Sequence, residues 1–243
     1  MELKDSVLLI TGAATRVGRE VALYFANKGM HVSFSYYMED EPWLETKQAI
    51  EACGVQCLAT QVEVRDKDQV ENLVNKTFET FGKIDVLINN ASVWLKTPFL
   101  EISESEWDLS IDVNLKGPFL CSQAVAPLML QQGYGVIINI TDLSAFQVWP
   151  GYAHHAASKA GLVALTKSLA YELAPKVRVN AIAPGTVLLP PDPPPAKVAW
   201  AVEKSVLKRV GAPTDVAQLA EFLITNEFVT GSVYHIDGGR SLV

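Results

Sequence analysis

The sequence predicts an α/β domain with a doubly wound, mainly parallel sheet of seven strands and helices on both faces, and two observations carry that prediction. Short apolar runs alternate along the chain with longer segments of helical period, and the 243 residues are 49% hydrophobic but only 19% charged. Strand, helix, strand in repetition calls for parallel pairing through crossover helices, and a composition this apolar suits a sheet buried on both faces. No repeat or composition shift divides the chain, so residues 1–243 are expected to form one domain.

The strands are read at Val7–Thr11, Val32–Tyr36, Gln56–Gln61, Val86–Asn89, Val136–Thr141, Arg178–Ile182 and Ser232–Ile236. Between them Arg16–Lys28, Pro42–Ala52, Lys67–Phe81, Trp107–Gln131, Tyr152–Leu173 and Thr214–Thr225 carry spaced apolar residues with polar faces, the helical signal. Gly29 and Gly82 stand where helices stop, and Pro213 with Thr214 and Asp215 opens the last one. Leu188–Pro195 is neither helix nor central strand, because proline fixes its own backbone angle and lacks an amide donor. This stiff loop and the helix after it, within residues 186–210, are expected to form the rim of a substrate pocket.

A formal net charge of −7 without any Lys/Arg cluster gives no footprint for nucleic acid. Cys53, Cys57 and Cys121 lack the spacing of a zinc site or a C-x-x-C motif, so they are read as buried thiols in a reducing compartment. The early apolar run Val7–Ile10 is too short for a signal segment, and no later run reaches membrane-spanning length. A cytoplasmic protein without a membrane partner is the expectation.

Directly after the first strand comes Thr11-Gly12-Ala13-Ala14-Thr15-Arg16-Val17-Gly18, leading into a helix. Gly12 permits a sharp turn, Gly18 allows helix and strand to approach, and the helix start turns free amides and partial positive charge toward an anion. A dinucleotide pyrophosphate fits such a site, which makes the domain Rossmann-type.

The turn, Asn89-Asn90-Ala91-Ser92, Asn114, Lys159 and the Pro184-Gly185 pair together resemble the short-chain dehydrogenase/reductase family, in order and over nearly the whole chain. The resemblance implies that Asn89, Asn90 and Ala91 end the fourth strand beside the cofactor and that Pro184-Gly185 lines the nicotinamide. It also implies that Lys159 binds the nicotinamide ribose and that Asn114 holds a water near that lysine. Glu63, in Val62-Glu63-Val64, matches the acidic residue that contacts the adenine in relatives. The second strand ends Ser35-Tyr36-Tyr37 with no carboxylate for the ribose hydroxyls, and Glu39-Asp40-Glu41 is read as a solvated helix start. Arg16 stands where many relatives carry a glycine, and its guanidinium fork suits a 2′-phosphate. NADP, as NADPH, is therefore the expected cofactor, with Thr15, Val17, Tyr36, Val64 and Ser92 around it.

Two positions depart from the family's Ser, Tyr and Lys chemistry. The residue four before Lys159 is His155 rather than tyrosine, and the residue thirteen before His155 is Asp142 rather than serine. Asp at that place, Arg in the turn and N-A-S in place of N-A-G are together similar to the pteridine reductases, as are Gly151-Tyr152 and the ending Asp237-Gly238-Gly239-Arg240-Ser241. That resemblance implies NADPH-dependent reduction of a dihydropterin or dihydrofolate-like ring, with Ser92, Asp142 and His155 at the substrate and Trp94 stacked on it.

Three roles stay open for the pair: His155 as the working acid, Asp142 as proton donor with His155 orienting it, or a broken relay in a protein that only binds. The alternatives to a pteridine reductase are a reductase of another carbonyl substrate and a catalytically impaired NADP-binding sensor or silent subunit. Tyr152 stands seven residues before Lys159, about a turn beyond the usual donor, and His154-His155 point about 100° apart on a helix, a poor metal site. No metal is expected. The family resemblance implies a homotetramer.

Overall fold

The computed structural model describes residues 1–243 throughout. Its seven strands are β1 (Val7–Ile10), β2 (His31–Tyr36), β3 (Cys57–Gln61), β4 (Val86–Asn89), β5 (Gly135–Ile140), β6 (Val177–Pro184) and β7 (Val233–Ile236). They form one sheet in the order β3-β2-β1-β4-β5-β6-β7, and every pairing is parallel. The helices are α1 (Arg16–Asn27), α2 (Trp43–Glu51), α3 (Lys67–Phe81), α4 (Glu104–Ile111), α5 (Gly117–Gln132), α6 (Ala153–Glu172), α7 (Pro195–Glu203) and α8 (Pro213–Thr225).

Strand alternation builds two cores. Leu8, Ile10, Val86, Ile88, Val136 and Ile138 face Phe25 of α1, Ile50 of α2 and Leu223 of α8. Leu9, Leu87 and Ile137, one residue out of phase, face Leu73 of α3 and Val125 and Met129 of α5. Both faces of the sheet are thus covered, as parallel sheets require. No helix is long and apolar enough to cross a membrane.

Three boundaries differ from the sequence reading, each for a local reason. The segment read as one helix over Trp107–Gln131 starts earlier, because Ser103 Oγ accepts the Glu106 amide at 3.2 Å while Glu106 Oε2 accepts the Ser103 amide at 3.0 Å, a capping box. It is also interrupted: Asp112–Lys116 forms a π-helical turn between α4 and α5 that carries Asn114 into the interior. Pro195 closes no loop but occupies the first turn of α7, where a missing amide costs nothing.

Chain order reverses direction between β1 and β4, the crevice where open parallel sheets bind ligands. Here close approach dictates residue type. A Cβ on Gly18 would meet Gly12 O at 2.5 Å and Asn90 Nδ2 at 2.6 Å. Gly18→Ala is therefore expected to lower unfolding free energy by about 1–3 kcal/mol, the usual cost of overpacking, read as a lower urea midpoint at unchanged slope.

Candidate active site

Eleven of the residues expected around the cofactor line a single cleft of ≈ 690 Å³ above the β1/β4 crevice: Gly12, Thr15, Arg16, Val17, Gly18, Tyr36, Glu63, Val64, Asn90, Ala91 and Ser92. Gly12 turns at φ +64°, and a Cβ there would lie 2.9 Å from Ala91 Cα. Thr15 makes no side-chain cap and the first turn of α1 holds no acid, so the opening amides of that helix are left for an anion. Arg16 adopts φ +55°, a left-handed conformation that costs an L-residue about 1–2 kcal/mol. Asn90 ties the turn to β4, donating through Nδ2 to Thr11 O and Gly12 O at 2.9 Å each.

The adenosine end holds groups that sequence reasoning passed over. Glu41 does not begin a helix, since α2 starts at Trp43; instead Glu41 Oε1 accepts the Tyr37 and Met38 amides at 2.9 and 2.8 Å on the cleft wall. Glu63 pairs with Arg65 at 2.6 Å, and the hydrogen bond from Arg65, outweighing burial, holds the Glu63 carboxyl below its ordinary value. Tyr36 stacks on Trp43 at 5.1 Å, which fixes the wall beside β2. The only signals in the sequence were the proximity of Glu41 and Arg65 to expected cofactor residues.

The reacting end lies where β5 and α6 meet. Asp142 follows β5 and His155 lies in the first turn of α6, and their side chains join at 2.6 Å from His155 Nε2 to Asp142 Oδ2. His155 is fully buried, whereas the Asp142 side chain keeps 13% of its surface. Ser144 donates to Asp142 Oδ1 through its amide at 2.8 Å and its hydroxyl at 2.5 Å. A carboxylate has about four acceptor positions; three are filled. Burial pushes the Asp142 carboxyl up, but the bond from His155, the charges of Lys159 and His155 and the bond from Ser144 together bring it below its ordinary value.

The other ring nitrogen, His155 Nδ1, lies 3.2 Å from Val93 O. Nδ1 also lies 3.3 Å from Asn114 Nδ2, so it faces both an acceptor and a donor. Asn114 frames this contact from the π-helical turn: Oδ1 accepts from Ser92 Oγ and the Val93 amide at 2.9 Å each, and Nδ2 donates to Val93 O at 3.1 Å and Ser158 Oγ at 3.2 Å. Asn114 accordingly grips the 92–93 segment and reaches His155 and Ser158 on α6. Lys159 is buried, its Nζ donates to Ile140 O at 3.0 Å, and burial pulls its ammonium below the usual value against the opposing charge of Asp142.

Trp94 covers the pair, its ring 4.6 Å from that of His155 and its Nε1 donating to Tyr152 Oη at 3.1 Å. Tyr152 precedes α6 and is engaged by that indole. Lys159, Pro184 and Gly185 lie outside the 690 Å³ cleft; Pro184 ends β6, and a Cβ on Gly185 would strike Asp237 Cα at 2.7 Å. Of the cysteines, Cys121 is buried as expected but Cys53 and Cys57 are half-buried, because β3 is an edge strand and α2 covers it incompletely. Burial pushes the Cys57 and Cys121 thiols up to about 12, which leaves little thiolate for chemistry.

A glycine-tight pyrophosphate turn at the switch point of a seven-stranded parallel sheet, with a lysine and a proton-bearing pair beside it, defines a dinucleotide-dependent oxidoreductase. The family model described as enoyl-(acyl carrier protein) reductase matches residues 12–241. The chain is 37% identical over 240 residues to the 3-oxoacyl-[acyl-carrier-protein] reductase FabG of Staphylococcus epidermidis, covering 95% of this chain and 97% of that one. It is 38% identical to the FabG of Thermotoga maritima, covering 98% and 99%. A short-chain type dehydrogenase/reductase from Mycobacterium marinum superposes with a TM-score of 0.89 at 31% identity, covering 98% of this chain and 96% of that one. The chain belongs to the short-chain dehydrogenase/reductase family and is an NAD(P)-dependent oxidoreductase.

Because the native Asp142 carboxyl lies below its unfolded value of about 3.9, the stability it contributes is complete above that value and is lost as pH falls through the native one. Asp142→Asn is expected to flatten the acid limb: between about pH 5 and pH 2 the parent chain loses more unfolding free energy than the variant, measured by denaturant titration.

Proposed function

We propose that the protein is an NADPH-dependent reductase of a dihydropterin or dihydrofolate-like ring, in which Asp142 meets the substrate and His155 stands behind it. The observation that carries this reading is the 2.6 Å pair under the Trp94 ring. An ionised carboxylate offers acceptors only, so it suits the N–H edge of an aminopyrimidine and repels the lone pairs of a plain ketone. The relatives named FabG are 3-oxoacyl-[acyl-carrier-protein] reductases, yet a 3-oxoacyl carbonyl has no N–H for the resting Asp142 carboxylate to accept before the proton is delivered. Trp94, 53% exposed above the pair, supplies a face for a flat heterocycle.

The reduced nicotinamide supplies a hydride. The chain's part is to position the ring and deliver one proton: His155 Nε2–H passes its proton to Asp142 Oδ2, and Asp142, the exposed member, hands it to the ring nitrogen of the reduced C=N bond. Val93 O and Asn114 keep the imidazole in place for the return proton. His155 itself, with no accessible surface, is the orienting and recharging partner and not the group in contact with substrate.

NADPH is favoured over NADH by Arg16, which lines the cleft, forms no ion pair and holds a costly backbone conformation. We further propose a homotetramer, in keeping with the open edge of β7 and the exposed Tyr171 on α6 and Phe228 ahead of β7.

Loss of NADPH absorbance with dihydrobiopterin and dihydrofolate tests the activity, with an acetoacetyl thioester as the competing substrate. Turnover of a pterin is expected, falling about 100- to 10,000-fold in Asp142→Ala with NADPH affinity kept. Turnover of the thioester alone would replace the pterin reading with the ketone one, and no turnover despite NADPH binding would leave a silent binder. Arg16→Ala is expected to weaken NADPH about 10- to 100-fold and NADH less than about threefold, the loss of charge-assisted bonds to one phosphate; equal losses by calorimetry would remove Arg16 from the 2′-phosphate.

A further inference from the structure

The chain ends in a turn whose shape is set by two glycines. Gly238 and Gly239 take φ +63° and +79°, and Cβ atoms there would lie 2.5 Å from Ser205 Oγ and 2.8 Å from Val206 Cβ. Asp237 accepts the Gly239 amide at 2.9 Å and the Ser241 amide at 2.8 Å, so the backbone of Arg240 is held on both sides. Its guanidinium carbon lies over two indoles, 5.0 Å from the Trp149 ring centroid and 4.9 Å from that of Trp200 in α7. One N–H donates to Thr186 Oγ1 at 3.0 Å, and no carboxylate pairs with it within 4.0 Å.

A guanidinium has five N–H donors in one plane, and one of them is used on Thr186. Partial burial pulls the group below its ordinary value against the attraction of Asp142 and Asp237. A half-desolvated cation without a counter-ion is costly unless something completes it. Rings connect it to the reacting pair: His155 to Trp94 is 4.6 Å, Trp94 to Trp149 is 5.5 Å, and Trp149 to Arg240 is 5.0 Å.

We propose that Arg240 is a second substrate anchor, taking a planar carboxylate of the substrate in its own plane while the heterocyclic ring lies at Asp142. Two in-plane N–H donors match two carboxylate oxygens, and the guanidinium packs against the Trp149 and Trp200 rings. Among the rings of the proposed function this selects those with an acidic tail, as in dihydrofolate, over uncharged dihydropterins; in that choice it rests on the pterin reading. Lysine would not replace the arginine, because an ammonium lacks the fork and the flat faces that the indoles grip.

The test compares kcat/KM for dihydrofolate and dihydrobiopterin in the parent, Arg240→Met and Arg240→Lys, with calorimetric binding of p-aminobenzoylglutamate to the NADPH-loaded protein. Arg240→Met is expected to lose about 10- to 100-fold on dihydrofolate and less than about threefold on dihydrobiopterin, with Arg240→Lys closer to Met than to the parent. p-Aminobenzoylglutamate should bind the parent and not Arg240→Met. If neither pterin is turned over but that binding difference stands, the ring reading fails and the anchor remains. Equal losses on both substrates, or no p-aminobenzoylglutamate binding to the parent, would overturn the anchor.

Discussion

The junction of β1 with β4 is the constraint on which the rest depends. Thr11 Oγ1 receives the Asn90 and Ala91 amides at 3.0 Å each, and the Asn90 side chain returns two bonds to Thr11 and Gly12. Behind it Asn89 donates to Asn139 Oδ1 at 2.8 Å and Asn139 to Thr166 Oγ1 at 2.9 Å, which carries the register from β4 through β5 to α6. Buried side-chain amides left unpaired would be costly, so these bonds fix where α6 lies relative to the phosphate turn. Asp142 at the end of β5 and His155 at the start of α6 meet because this polar line sets the spacing between their elements.

That meeting has its own electrostatic logic. Asp142 is nearly buried, and a lone carboxylate there would sooner take a proton than stay charged. His155, Ser144 and the nearby charge of Lys159 reverse the balance and keep it ionised. The imidazole, for its part, is closed in by Val93 O on one side and Asp142 on the other. Each member would be poorly satisfied without the other, so the Asp and the His that replace the family's Ser and Tyr work as one exchange and not as two independent losses.

The repeating apolar runs made the fold legible, since period 2 and period 3.6 report directly which face is buried. Where the reading slipped, a side chain had replaced the hydrophobic signal: the Ser103–Glu106 box began α4 before its first apolar residue, and the π-helical turn at 112–116 leaves no mark in a periodic pattern. The phosphate turn was legible because glycine is demanded by close approach, which acts locally. Glu41 was not, because its position depends on a loop folding back on the Tyr37 and Met38 amides. Arg240 was visible as a residue of the terminal motif, but the role proposed for it needed Trp149 and Trp200, which approach it from distant parts of the chain.

In the proposed reaction the exposure difference between Asp142 and His155 sets the order of proton transfer. A phenol in the usual position reaches substrate directly, whereas an imidazole with no accessible surface has to act through what it touches, and Asp142, the acid bonded to its Nε2, keeps part of its side chain accessible. A carboxylate holding three hydrogen bonds and one vacant acceptor position can receive a substrate N–H before transfer and release a proton to a ring nitrogen only when negative charge develops there. Under that proposal proton delivery is tied to hydride arrival, since the Asp142–His155 bond gives up its proton only against a base stronger than the resting carboxylate. Trp94, tilted against the imidazole at 4.6 Å and itself half exposed, offers the flat face on which the proposed substrate ring would complete the site.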